Sequence, residues 1–279
     1  MIKGISATLI FLWSLPLIAG AGSTQHSAPH ITVELQTETA HISPGQAFWA
    51  IVFFSPEPHW HTYWKNPGDS GLAPKLNWQL PAGWQAEAPL FETPTAIPYG
   101  SEINYGYNGD SALLVKITPP KSLPEAPVTL KLDARWLVCA DACVPGKADF
   151  ALKLPSPPID NQPTARQRVQ QARQRLPRTV GQEGLYQMTD ETVEIVIPGD
   201  NITGDNLQVF IAPNHVAATQ PQPIIVRKAG TIHISAPRHR YFTQAPDYIE
   251  VVLREAEKAW TYQAKLKTNT GINQREATP

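Results

Sequence analysis

Cys139 and Cys143 are the only cysteines in this chain of 279 residues, and three residues separate them. A pair so close can close a small structural bridge, cycle between dithiol and disulfide, or offer two soft thiolates to a metal. In the loop-entropy description a bridge this short contributes only about 2 kcal/mol, less than one tying distant strands together. A chain of this length buries enough core to fold without such a staple. A short loop bridge near the surface is also the accessible kind that external thiols can reduce. Redox exchange therefore stands first, with a structural bridge and a metal site behind it.

Helpers for a metal are few. No His or Met follows within ten residues of Cys143, and the only methionine beyond Met1 is Met188, far along the chain. His59 and His61 share one face of an expected strand. They could join Cys139 and Cys143 in a copper site, because soft thiolates combine with imidazole in such centres. Edge imidazoles held by ordinary hydrogen bonds are the plainer reading. The surrounding segment is His59-Trp60-His61-Thr62-Tyr63-Trp64-Lys65-Asn66-Pro67-Gly68, and Trp49, Trp60, Trp64, Trp78, Trp84 and Trp136 all fall in the same half of the chain. Such a cluster builds a core, or else a sugar-stacking platform that would leave the cysteines unexplained. A third segment, Thr95 to Tyr107, combines Pro98, Tyr99-Gly100 and Tyr105-Gly106-Tyr107. It reads as a long aromatic loop entering a strand, of a kind that can cover a reactive site.

The elements that must position these groups are strands. Val128, Leu130, Leu132, Ala134 and Trp136 alternate with polar residues, and Ala148, Phe150, Leu152 and Leu154 repeat the pattern after a short loop. Period two marks half-buried strands. Continuing the alternation sends Trp136 and Val138 inward and Leu137 and Cys139 outward with Asp133 and Arg135. Cys139 is thus expected near a polar face, and Cys143 in a turn that Pro145-Gly146 helps to build. Arg135 and Lys147 would favour a thiolate there, whereas Asp141 would oppose it. Ile31, Val33 and Leu35 alternate likewise, and Phe48 to Phe54 is apolar on both faces. Twenty-eight prolines against seventeen glycines keep strands short. The fold class expected is all-β, built of β-sandwiches.

Residues 1–21 read as an export leader, with Lys3, an apolar run from Ile5 to Ile18, and Ala19-Gly20-Ala21 for cleavage. The run is too short to span a bilayer. An exported protein in an oxidising compartment is expected, without stable membrane insertion. The first domain should occupy 22–155. A Pro-rich linker follows over 156–183, in which Ala165, Val169, Ala172 and Leu176 recur at helical spacing on a basic helix that docks on a neighbour. A second, smaller sandwich spans 184–268 and carries no cysteine, and 269–279 is a polar tail. The formal net charge of −1, with no long basic face, argues against a nucleic-acid partner.

Taken together, His59 to Gly68, then Tyr99-Gly100-Ser101-Glu102, then Trp136 with Cys139, Asp141, Cys143 and Pro145 resemble the N-terminal periplasmic domain of the thiol:disulfide interchange protein DsbD family, in its ScsB-like branch. The likeness covers Ile31 to Leu154, and the second sandwich is similar to the additional domain of that branch. The resemblance implies immunoglobulin-like sandwiches and a periplasmic module relaying electrons from a membrane-embedded thiol reductase to thioredoxin-like proteins. It implies Cys139 and Cys143 as the redox pair, Cys143 as the attacking thiol, and no cofactor beyond the redox-active disulfide. His61, Tyr63, Asp141 and Tyr99 would line the sulfurs, under a cap within about Thr93 to Gly100. Three residues stand between the cysteines where the better-known branch has more. Neither membrane helices nor a C-terminal thioredoxin-like domain follow the second sandwich. A detached component of protein-disulfide reduction is therefore expected, served by a separate membrane protein. Copper tolerance through the same cysteines with His59 and His61 is the alternative.

Overall fold

Alternating apolar residues become strands almost throughout the computed structural model, which describes residues 23–39, 42–124, 127–154, 163–200, 202, 204 and 206–267. The expected leader 1–21, the prolines of 155–162 and the tail 269–279 lie outside the described residues. The first domain comprises β1 (Ser23–Ala28), β2 (Ile31–Thr37), β3 (Phe48–Pro56), β4 (His61–Gly68), β5 (Lys75–Gln79), β6 (Gln85–Ala86), β7 (Leu90–Phe91), β8 (Thr95–Tyr99), β9 (Glu102–Asn108), β10 (Ser111–Thr118), β11 (Val128–Cys139) and β12 (Cys143–Leu154). The helix α1 (Pro163–Arg175) follows. The second domain holds β13 (Arg178–Thr179), β14 (Gly184–Met188), β15 (Thr192–Pro198), β16 (Leu207–Ala212), β17 (Ile224–Lys228), β18 (Thr231–Pro237), β19 (Tyr248–Glu255) and β20 (Lys258–Leu266). The all-β, immunoglobulin-like class is as the sequence implies.

Two antiparallel sheets face each other in the first domain. One runs β1-β2-β3-β10, with β6 and β7 on the far edge of β10. The other runs β12-β11-β4-β9-β8, with β5 also paired to β11. Val33, Leu35, Val52, Phe54, Leu113 and Val115 of the first sheet meet Leu130, Leu132, Trp136, Phe150 and Leu152 of the second. The outer face of the first sheet is apolar too, because α1 lies on it. Val169 and Ala172 pack against Ile51, Phe53, Ala112 and Leu114. Arg168 pins the helix by stacking 3.5 Å over the Phe53 ring and by pairing with Glu34 at 2.7 Å. The basic helix therefore serves the fold, which explains why Phe48 to Phe54 has no polar face.

The strands of the second domain form one continuous sheet, β16-β19-β20-β14-β15-β18-β17, with β13 along β20. Residues near both ends of that order, Val209 and Ile225, share one core with Ile195, Ile234 and Val251, so the sheet wraps around it. The two domains also share apolar contacts. Phe210 packs edge-on against Trp64 at 6.2 Å and Tyr105 at 5.0 Å between ring centroids. Beside it Lys65 pairs with Glu250 at 2.8 Å, and Asn66 Nδ2 donates to the Ile211 carbonyl at 2.7 Å. An irregularity in the β4–β9 register between Tyr63 and Gly68 turns this stretch of β4 toward the second domain.

Candidate functional site

The cysteines close the end of a long hairpin. β11 and β12 pair without a break from Val128↔Leu154 to Cys139↔Cys143, leaving residues 140–142 as the turn. Cys139 and Cys143 are joined as a disulfide with their Cα atoms 4.1 Å apart. Two expectations need correction here. Cys143 opens a strand and is not in the turn, and Pro145 and Gly146 belong to the ladder opposite Leu137 and Trp136. The local reason is steric. A Cβ on residue 146 would come within 2.3 Å of the Trp136 indole, so glycine lets that ring lie across the neighbouring strand. β12 is an end strand, where a proline is tolerated.

The second correction concerns exposure. Cys139 has the outward parity that alternation assigns it, yet it is fully buried, while Cys143 is exposed. The lower part of β11 pairs with β5, but at its end the neighbour changes to β4, through the single pair Cys139↔His61. His61 is 4% exposed, and Tyr63, two residues on, lies on the same side. Its hydroxyl stands 3.9 Å from Cys143 Sγ and 3.2 Å from His61 Nε2. Asn104 Nδ2 reaches the same hydroxyl at 3.5 Å, and its Oδ1 accepts from Ser70 Oγ at 2.9 Å.

The cap is a second hairpin, not a long loop. β8 and β9 pair from Thr95↔Gly106 to Tyr99↔Glu102 around Gly100-Ser101, with Gly100 at φ 60° supplying the left-handed turn. From its tip the Tyr99 hydroxyl donates to the Asp141 carbonyl at 3.2 Å, and its ring lies 6.2 Å from that of His61. Asp141 thus takes part through its backbone, with its side chain exposed. An open cleft of about 700 Å³ runs beside this tip, lined by His59, His61, Tyr99, Glu102, Asn108 and Asp141 among others.

The electrostatics of this shell are those of neutral groups. Burial lowers the His61 pKa, which leaves the imidazole uncharged at neutral pH. Burial, with the Tyr99 and Glu102 groups adding to it, pushes Tyr63 up to about 12, so its hydroxyl keeps its proton. Arg135 bonds Asp133 at 3.1 Å on the open face of β11. His59 is displaced from its expected place. It lies in the turn before β4 at φ 71° and not on a strand face with His61. Among the described residues no three His, Cys, Asp or Glu side chains stand together as a metal-holding group. Among the described residues Trp64, Trp84 and Trp136 are buried in the core, and Trp49, Trp60, Trp78 and Trp260 are partly accessible.

Sequence reasoning passed over Asn104 and Ser70, which hold Tyr63, because single polar residues in a strand carry no spacing signal. It also passed over Glu92, 3% exposed, whose carboxylate accepts from Arg175 at the end of α1 at 2.6 Å. The lone acid between Phe91 and the Thr93-Pro94 step was the available clue.

Comparison with known proteins agrees with this geometry. The N-terminal periplasmic domain of ScsB from Proteus mirabilis aligns with a TM-score of 0.65 at 15% identity, covering 89% of this chain and 100% of that one, and so has the same fold. The yeast GGA1 GAE domain aligns at 12% identity and a TM-score of 0.29, covering 47% of this chain and 96% of its own. A D312A form of BcpA, the major pilin subunit of Bacillus cereus, aligns at 10% identity and a TM-score of 0.28, covering 89% and 74%. No curated protein matches the chain. The family described as "Thiol:disulfide interchange protein DsbD, N-terminal" matches residues 32–155, the span that holds both cysteines, the two hairpins and the buried imidazole. By that match, residues 32–155 of this chain belong to the DsbD N-terminal domain family.

Proposed function

We propose that the protein is a periplasmic thiol–disulfide interchange module, passing electrons between a membrane-embedded reductase and thioredoxin-like proteins through Cys139 and Cys143. The observation that carries this reading is the asymmetry of the pair: Cys143 is exposed to a partner, and Cys139 is fully buried where it pairs with His61. The chemistry needs no further cofactor. A thiolate of a reduced partner attacks Cys143 Sγ, the S–S bond breaks, and Cys139 leaves as a thiolate that takes a proton from water. The partner's second thiolate then attacks its own sulfur in the mixed disulfide and expels Cys143. Two electrons reach the module and the partner keeps a disulfide. Run backwards on the next partner, the Cys143 thiolate attacks and Cys139 resolves.

Tyr63 supports either direction. A phenol held at a pKa of about 12 stays protonated and donates to a thiolate on Cys143, 3.9 Å away in the oxidised pair. Asn104 and Ser70 fix its aim. The Tyr99 contact with Asp141 supports a cap that stands beside the exposed Cys143 and narrows the approach to the pair, which protects a dithiol from unselective oxidation.

The deciding experiment equilibrates the protein with glutathione or dithiothreitol buffers and reads the reduced fraction. A potential well above about −300 mV is expected, and a pair that stays oxidised below it is a structural bridge, which defeats the reading. Cys139→Ser should trap a mixed disulfide with a thioredoxin-like protein on Cys143. Cys143→Ser should trap none.

A further inference from the structure

The second domain has no cysteine, yet three of its contacts converge on the cap hairpin. At the base, Arg254 Nη1 donates to the Pro94 carbonyl at 3.2 Å, just before β8 begins. Alongside β9, Thr219 Oγ1 donates to Asp69 Oδ2 at 2.5 Å, and the same carboxylate oxygen accepts from the Ile103 amide at 2.9 Å. Thr219 is 3% exposed, so its end of this bond is buried, while Asp69 is exposed. At the tip, Gln220 Nε2 donates to the Ser101 carbonyl at 3.0 Å, two residues from Tyr99. These contacts come from the β16–β18 side of the second domain and the end of β19, and Phe210 packs on Tyr105 of β9 between them.

β8 is the last strand of its sheet, so the outer side of the cap hairpin has no ladder neighbour. Within the first domain, Tyr99 to Asp141 is the bond that draws the tip toward the cysteine turn. We infer that the second domain is a brace for the cap: Thr219 and Gln220 are positioning residues that hold the Tyr99 tip against the cysteine turn, beside the exposed Cys143, and set how readily the disulfide is approached. An exposed amide-to-carbonyl bond is individually weak, and losing one shifts a local opening equilibrium by a few-fold without unfolding the chain. A domain held by such bonds can keep a cap shut and still let it yield to a docking partner.

The brace deepens the interchange reading where it concerns access to the sulfurs, and its structural part can be measured without it. In the full chain, Gln220→Ala and the doubly changed Thr219→Val/Gln220→Ala protein are compared with wild type by amide hydrogen exchange. Exchange at residues 99–103 should quicken about three- to ten-fold, with β11 and β18 unchanged as controls for folding. Gln220→Glu, which faces the Ser101 carbonyl with a second acceptor, should act in the same direction. The second-order rate of disulfide reduction by dithiothreitol should rise by a similar factor in each variant. Unchanged exchange at 99–103 in the double variant overturns the brace. Quicker exchange with an unchanged reduction rate overturns its control of access. A wild-type potential below about −300 mV would defeat the interchange reading while leaving the exchange result to stand by itself.

Discussion

The two hairpins that meet over the sulfurs are held in opposite ways. β11 and β12 are each twelve residues long and every second side chain, from Leu130 to Val138 and from Ala148 to Leu154, enters the first-domain core. β8 is five residues long, and only Ile97 among them is buried. The cysteine hairpin is placed by burial of apolar area, which is strong and insensitive to small changes. In the cap hairpin Tyr105 and Tyr107 of β9 enter the core, while β8 and the tip are placed by the ladder to β9 and a few polar bonds, several of them from the second domain. A fixed platform and a yielding cover follow from that difference in the forces holding them.

The comparison breaks most visibly at Trp136. It is 4% exposed in the core beneath the disulfide, so Trp136→Ala should lower stability by about 3–5 kcal/mol in urea unfolding. A loss under about 1 kcal/mol would mean that the platform does not depend on its core. Gly71 comes next. It has φ +91° and a Cβ there would lie 2.1 Å from the Tyr63 ring, so Gly71→Ala strains the backbone and pushes Tyr63 off its partners. A cost of about 2 kcal/mol is expected, with a slower exchange reaction at Cys143.

Two smaller effects are read from pH. Burial raises the Glu92 pKa more than Arg175 lowers it, so the folded state holds that proton more tightly than the unfolded one. Its contribution to stability therefore grows as pH falls toward 4.5 and is lost above its raised pKa. Glu92→Gln should flatten this slope and cost less than Glu92→Ala at neutral pH, as denaturation at several pH values would show. His61 has the opposite sign for its class. Its folded pKa is lowered, so stability is retained above 6.5 and declines as pH falls below it, and His61→Asn should remove that decline. The smallest effect on stability, within about 0.5 kcal/mol, is expected for Tyr99→Phe, because the residue it touches is exposed. Its reduction by dithiothreitol should nevertheless quicken several-fold, and an equal rate would mean that the tip does not limit the approach to the disulfide.

Much of the platform was legible in the residues. Alternation from Val128 to Trp136 and from Ala148 to Leu154 marks both strands and their inner faces, and the doubly apolar run Phe48 to Phe54 signals a second cover, which α1 supplies. The helical spacing of Ala165, Val169 and Ala172 falls within Pro163–Arg175 as found. Strands without that signal escaped notice. β1 is Ser-Thr-Gln-His-Ser-Ala, polar nearly throughout, and is held by its ladder to β2. The cap reads as a loop because Pro98 and Gly100 interrupt any period, yet both tolerate the end strand and tight turn in which they lie.

What the sequence determined by itself was the identity and closeness of the two thiols, the strand periods around them and the mainly apolar core they stand on, because these depend on residues near one another along the chain. Only the tertiary structure decided which sulfur is open. Parity gives the side of the strand on which Cys139 lies, but it is buried where it pairs with His61, seventy-eight positions earlier, whose ring lies near a tip at Tyr99 braced by Gln220. Exposure is a property of what packs against a group, and those partners are brought there by the sheet order and the domain contact, neither of which any local spacing records.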